Sequence, residues 1–224
     1  MTKLAIIHTT AATVDPLKAL SAEVLSDCEL VNFVDDSILP QLAKNGGNIS
    51  DVEERLVHYA RFAEQVGADI ILEACSSVGE LVPKMRAAVS IPVVRIDEIM
   101  AEEAVQRGTS VGVAATLATT LQPTTRLLRQ KAQAAGKQVQ VKPLLIEGAY
   151  QKLMAGDRDG HDNLLVEKLQ ELAQATDVIV LAQASMARVL PRLSAGEQSK
   201  VLVSPPRAMA QVKTLLSSRA AATS

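Results

Sequence analysis

The sequence predicts an α/β protein of two pseudo-twofold-related lobes, each a four-stranded, mostly parallel, doubly wound sheet. Three observations carry this expectation. The order β-α-β-α-β-α-β can be read twice along the 224 residues. The stretch Asp69–Pro83 recurs as Asp177–Pro191, with Asp, Ala, Ser and Pro at matching positions 108 residues apart. Hydrophobic residues make up 48% while aromatics are only 2% and Trp is absent, so the core must be Ala, Val, Leu and Ile. That composition suits buried parallel strands under Ala-rich helices.

Taken in order, Lys3–Ile7 is an apolar strand ending in the polar tip His8-Thr9-Thr10. Leu17, Leu20, Val24 and Leu25 follow at helical spacing. Residues 29–34 form a second strand, and Lys44–Asn48 has turn chemistry. Ser50 and Glu53 are spaced as a capping box for a helix reaching Gln65. The strand Asp69–Ala74 leads to Cys75, and a helix is expected over Val78–Ala88. Ile91–Val94 is a short strand and Ile96–Gln106 a helix stopped by Gly108. The pattern then restarts with Ser110–Ala114, the tip Ala115–Thr120, and a helix over Leu121–Ala134 that tolerates Pro123 in its first turn. Gln138–Leu145 is a strand leading to Glu147-Gly148, and Leu164, Leu165, Leu169 and Leu172 share a helix face. The strand Asp177–Ala182, a helix to about Leu193, the strand Val201–Val203 and a final helix after Ser204 complete the chain. The expected division is 1–100 plus 205–224 for the first lobe and 108–204 for the second.

Thr9 to Cys75 spans 66 residues and Thr116 to Gln183 spans 67. Doubly wound sheets place ligands at the carboxyl ends of their strands. Facing lobes are therefore expected to line one cleft with Thr9, Cys75, Thr116 and Gln183. The formal net charge of −2, with both signs interspersed, offers no basic surface for nucleic acid. No apolar run approaches a membrane span, and because the sequence enters a strand directly no signal peptide is expected. Two cysteines make no disulfide framework, and a cytoplasmic protein with reduced thiols is expected. No dinucleotide or triphosphate loop, metal-ligand spacing or nucleophile elbow is found, so no cofactor and no metal are expected.

The residues Ala74-Cys75-Ser76-Ser77 after a strand, Ala115-Thr116-Leu117-Ala118-Thr119 after the mid-chain strand, and the doubled architecture are together similar to the aspartate/glutamate racemase superfamily. That superfamily includes glutamate, aspartate and hydantoin racemases, maleate isomerase and arylmalonate decarboxylase. The resemblance covers nearly the whole chain. It implies cofactor-independent work on small carboxylates or cyclic amides, and homo-oligomers. It also implies two cysteines, one from each lobe, on opposite faces of a carbon acid. Cys75 matches the first of these; Gln183 stands where the second would be. Arylmalonate decarboxylase also keeps one cysteine, in the other lobe.

Removing a proton from carbon beside a carboxylate requires a positioned base and donors aimed at the oxygen that gains charge. Cys75, where a strand gives way to a helix, is expected to have a lowered pKa and to be the thiol acid/base. Thr9, Thr10, Ser76, Ser77, Thr116 and Thr119 are candidates to hold the anionic group, although each can equally cap a helix. Gln183 and Ser185 are expected on the opposing wall; an amide hydrogen-bonds but carries no proton at neutral pH. His8, Asn45 and Glu147 are further candidates. Glu73 is expected to point away from its neighbours' face, Cys28 to be structural, and His58 and His161 to be surface or capping residues. The expected function is an isomerase or racemase-like enzyme acting at the carbon alpha to a carboxylate or carbonyl of a small acid, amino acid or hydantoin. A single-cysteine decarboxylase or lyase, an inactive small-anion-binding relative and, more distantly, a cysteine amidohydrolase using His8 are the alternatives.

Overall fold

The structure, a computed structural model, describes residues 2–25 and 27–222. The chain divides into two compact units, one of residues up to Ile96 together with those from Pro205 onward, the other Asp97–Ser204. Unit 1 holds β1 (Thr2–His8), β2 (Cys28–Val34), β3 (Ile70–Glu73) and β4 (Val93–Arg95), all parallel in the order β2-β1-β3-β4. Unit 2 repeats this with β5 (Ser110–Ala115), β6 (Gln140–Leu145), β7 (Val178–Leu181) and β8 (Val201–Leu202), in the order β6-β5-β7-β8. The doubled sheet expected from the sequence is thus observed.

Both faces of each sheet are covered, which is why the central strands read as unbroken apolar runs. In unit 1, α2 (Ile38–Lys44), α3 (Ser50–Gln65) and α4 (Val82–Ala88) pack Ile38, Leu42, Val52, Leu56 and Met85 against Ala5, Ile7 and Ile71. On the other face α1 (Val14–Val24) and α10 (Ser204–Ala222) bring Leu17, Met209 and Val212 to Leu4, Ile6 and Leu72. In unit 2, α5 (Glu98–Arg107) and α6 (Ala118–Ala134) cover one face of the sheet. The other face is covered by α7 (Ala149–Met154), α8 (Arg158–Ala175) and a 3-10 segment over Ala184–Arg192. Each fully buried Leu or Ile contributes about 1.5–3 kcal/mol.

The repeated aspartates have the same local task in both units. Asp69 Oδ2 accepts the Lys3 N–H (2.8 Å), and Asp177 Oδ2 accepts the N–H groups of Thr109 and Ser110 (both 2.9 Å). Each clips the start of its own strand to the neighbouring one, at the end of the sheet away from the tips.

Several local expectations are corrected. Ser50 and Glu53 form no capping box: α3 has no side-chain cap, Asn48 Oδ1 accepts the Ser50 N–H (3.2 Å), and Glu53 pairs with Lys84. The capping box lies instead at Ser194 and Glu197, opening α9 (Ala195–Lys200). Pro123 lies beyond the first turn, because α6 begins at Ala118. The helix expected over Val78–Ala88 is split into a 3-10 turn, Gly79–Leu81, and α4. His161 is buried, with Nδ1 2.7 Å from Asp162 Oδ1, and Asp157 is the cap of α8. Among the described residues no helix is long and apolar enough to cross a membrane.

Candidate active site

In unit 1 the candidate residues gather where the parallel strands end. Ile7 of β1 lies beside Glu73 of β3, and Glu73 beside Arg95 of β4. The Ala74 N–H donates to the Ile7 carbonyl (3.0 Å), so the ladder still holds where Thr9 and Cys75 leave the sheet. Because side chains alternate along a strand, Glu73 and Cys75 share a side. The Glu73 carboxylate, fully buried, turns along the chain and its Oε1 accepts the Cys75 N–H at 2.8 Å. The expectation that Glu73 points away is therefore wrong.

The protonation expected of Cys75 is also wrong. Desolvation first, and the Glu73 charge second, push its thiol up to about 11. Hydrogen bonding from Thr9 and from the Ser77 N–H and hydroxyl acts in the other direction but does not prevail. A helix N-terminus would lower a thiol, yet the three-residue turn Gly79–Leu81 stands between Cys75 and α4. The thiol keeps partial exposure, whereas Thr9, Ser76 and Ser77 are buried. The Thr9 hydroxyl makes no hydrogen bond of regular geometry.

Arg95 is buried beside this row, lying over Gly79 so closely that a Cβ there would stand 2.3 Å from its Nε. His8 is fully buried; burial lowers its pKa, against a smaller opposing effect of Asn32. In the neutral ring, Nε2–H donates to Asn32 Oδ1 (2.9 Å) and Nδ1 accepts from the Thr13 hydroxyl (2.8 Å). Both nitrogens are thus engaged, which removes the basis for His8 as a base. Thr10 caps the short 3-10 turn after β1 by accepting the Ala12 N–H (3.3 Å). Asn45 folds its own loop, accepting from Gly47 and Asn48 and donating to Asp51 (2.8 Å). At the end of β2, Asp35 accepts from Arg55 (2.8 Å) and from the Tyr59 hydroxyl (3.0 Å). Sequence reasoning missed this cluster; its signal was a polar residue directly after an apolar strand.

In unit 2 the matching tips bind each other. Gln183 Oε1 accepts both the Thr116 N–H (2.6 Å) and the Thr116 hydroxyl (2.9 Å). Thr116 is therefore committed to Gln183 rather than open to an anion. Thr119 is half-buried in the first turn of α6, and Ser185 and Glu147 are exposed. Beyond Gln183, Arg188 grips Asp162 with Nε–Oδ1 at 2.9 Å and an Nη2–Oδ2 contact at 2.7 Å, pinning the 3-10 segment to α8. Among the described residues no group of His, Cys, Asp and Glu is placed to hold a metal ion.

The family model described as Asp/Glu/Hydantoin racemase matches residues 5–212. Among solved structures, the chain is similar to glutamate racemase RacE1 from Bacillus anthracis (TM-score 0.76, 13% identity, 97% of this chain and 82% of that one). It is also similar to allantoin racemase from Klebsiella pneumoniae (0.68, 18%, 97% and 88%) and to an arylmalonate decarboxylase variant with associated sulfate (0.60, 20%, 95% and 92%). At these identities the likeness is one of fold. No curated protein matches the sequence.

Proposed function

The chain belongs to the Asp/Glu/Hydantoin racemase family, and from that membership we propose a cofactor-independent isomerase. It transfers a proton at the carbon alpha to a carboxylate or carbonyl of a small acid, amino acid or hydantoin, with Cys75 as its sole thiol acid/base. The observation that carries this reading is the environment of Cys75: partly open, beside Thr9 and Ser77, and raised to about 11. Such a thiol is almost wholly protonated at neutral pH, so turnover begins from the small thiolate fraction left when the sulfur proton passes to solvent. The thiolate takes the α-proton: the C–H bond breaks, an S–H bond forms, and the electron pair passes into the neighbouring carbonyl as an enolate. The S–H then returns a proton to carbon, and the negative charge passes back to sulfur. The second cysteine, Cys28, opens β2 at the far end of the sheet, so one face of the carbon is served by Cys75 alone. Ser76 and Ser77, directly after Cys75, hold the substrate's anionic group through hydroxyl and N–H donors.

Candidate acids and hydantoins incubated in deuterated water, followed by NMR and chiral separation, test this. Exchange that keeps one configuration, or a proton moved to a neighbouring carbon, is expected. Undiminished exchange by Cys75→Ala would remove Cys75 from the chemistry. The raised thiol also suits a second reading, a decarboxylase or lyase in which Cys75 protonates the enediolate left by departing carbon dioxide. Carbon dioxide release without exchange into unreacted substrate distinguishes it.

A further inference from the structure

Two buried oxygen-bearing side chains meet Cys75 from different directions, and neither is explained by packing alone. Glu73 is a carboxylate in the core of the sheet, with no exposed surface. A core strand position beside Ile7 is an expensive place for a charge, yet Glu73 Oε1 accepts the Cys75 N–H at 2.8 Å. Buried Arg95 lies beside it on β4, its guanidinium seated over Gly79. Thr9 presents the opposite situation. Its hydroxyl oxygen is buried without a regular hydrogen bond, at the end of the strand adjoining β3. At the matching point of unit 2 the Thr116 hydroxyl is fully engaged by Gln183. A buried hydroxyl left without an acceptor is costly; the β1–β3 register sets Thr9 level with Cys75, whose sulfur accepts strongly only as thiolate.

We propose that Glu73 and Thr9 are positioning residues acting on Cys75 in opposite senses: the Glu73 carboxylate keeps the proton on the sulfur at rest, and the Thr9 hydroxyl donates to the sulfur once that proton has left. This deepens the reading of Cys75 as the acid/base and rests on it for its role in turnover. Other charged or titratable groups surround the strand end. His8 of β1 faces Asn32 and Thr13; Asp35 after β2 faces Arg55 and Tyr59; Arg86 of α4 donates to the Val93 carbonyl (2.8 Å). Glu80 lies in the turn after Cys75, and Arg95 on the neighbouring strand. Of these, Glu73 alone among the acids is bonded to the Cys75 backbone. The device makes the thiol a reluctant base and a ready acid, which gives the transfer a preferred direction at rest.

The test needs no substrate, so its outcome is separable from that of the proposed function. In a Cys28→Ser background, the rate of Cys75 alkylation by iodoacetamide is followed from pH 6 to 10. The parent is expected to rise without a plateau. Glu73→Gln keeps an acceptor for the Cys75 N–H but removes the charge; its midpoint is expected to fall by at least about one pH unit, a tenfold change in thiolate. Thr9→Val is expected to move the other way, with alkylation at pH 9 about threefold slower, after the compensating gain in nucleophilicity of a more basic thiolate. A purely structural role would move neither profile. A parent thiol with its midpoint below pH 9, or shifts of the same sign in the two variants, would overturn the proposal. Should Glu73→Gln not fold, the parent profile and Thr9→Val still decide it.

Discussion

The tips of the two units start from the same plan and finish it differently. In unit 2, the residue after the first strand and the residue after the third are bonded to each other, with Gln183 taking both donors of Thr116. In unit 1 the corresponding pair, Thr9 and Cys75, leaves a buried hydroxyl without a regular partner and a thiol raised to about 11. The third strand also differs: its last buried residue in unit 1 is Glu73, bonded back to Cys75, whereas at the corresponding point of unit 2 stands Leu181, which is simply core. Unit 2 is locally satisfied; unit 1 carries an unsatisfied donor, a buried charge and a reactive atom within a few residues. A buried hydroxyl without a regular partner and a buried carboxylate beside a thiol, on one member of a duplicated pair, mark where stability has been given up for chemistry.

This contrast can be broken at four points. The largest effect is on catalysis. Cys75→Ala is expected to lower proton exchange by about 10²- to 10⁴-fold, while Gln183→Ala lowers it no more than about tenfold; initial rates in deuterated water measure both. Next is packing. Gly112 in β5 occupies the place that Ala5 has in β1, and a Cβ there would stand 2.7 Å from Leu172. Gly112→Ala is expected to cost about 1–3 kcal/mol by overpacking, and Ala5→Gly about 1 kcal/mol through backbone freedom, in chemical denaturation. Third, one substitution has opposite signs at matched sites. Thr116→Val breaks a satisfied bond and costs about 1 kcal/mol, whereas Thr9→Val removes an orphan hydroxyl and stabilises by up to about 1 kcal/mol. The smallest effect is pH-dependent and confined to unit 1. The folded pKa of His8 lies below its ordinary value, so the unfolded chain binds the proton first as pH falls. Stability is then lost from about pH 6.5 downward until the folded pKa is reached. A His8→Gln variant is expected to show a weaker dependence of Tm on pH across that window.

The doubled sheet was legible because buried parallel strands are written as apolar runs, and because Asp69 and Asp177, which clip their strands to the neighbours, mark equivalent points in the two copies. Short helices were not. Ile38 and Leu42 of α2 are spaced to share one buried face, but Pro40 and the following Gly-rich turn obscured seven helical residues. The capping box assigned to Ser50 failed because Asn45 and Asn48 already organise that loop, whereas the Ser194–Glu197 box went unread. The location of Cys75 was legible and its protonation was not. Strand parity should have placed Glu73 and Cys75 on one side, and burial, with the neighbouring carboxylate second, outweighs the donors at the strand end. The pairing of Gln183 with Thr116 depends on two tips 67 residues apart meeting within one unit, which no local pattern encodes.

The scarcity of aromatic residues has a practical consequence. With no Trp and only two Tyr, the protein carries one phenol in each unit. Tyr59 leans on Phe33, donates to Asp35 and has its ionisation pushed up, first by burial. Tyr150 is exposed on α7. Ring-labelled tyrosine would therefore give two NMR signals in different surroundings, one for each half of the duplicated fold. Followed through a denaturant titration, those two resonances would report whether the halves unfold together or in turn.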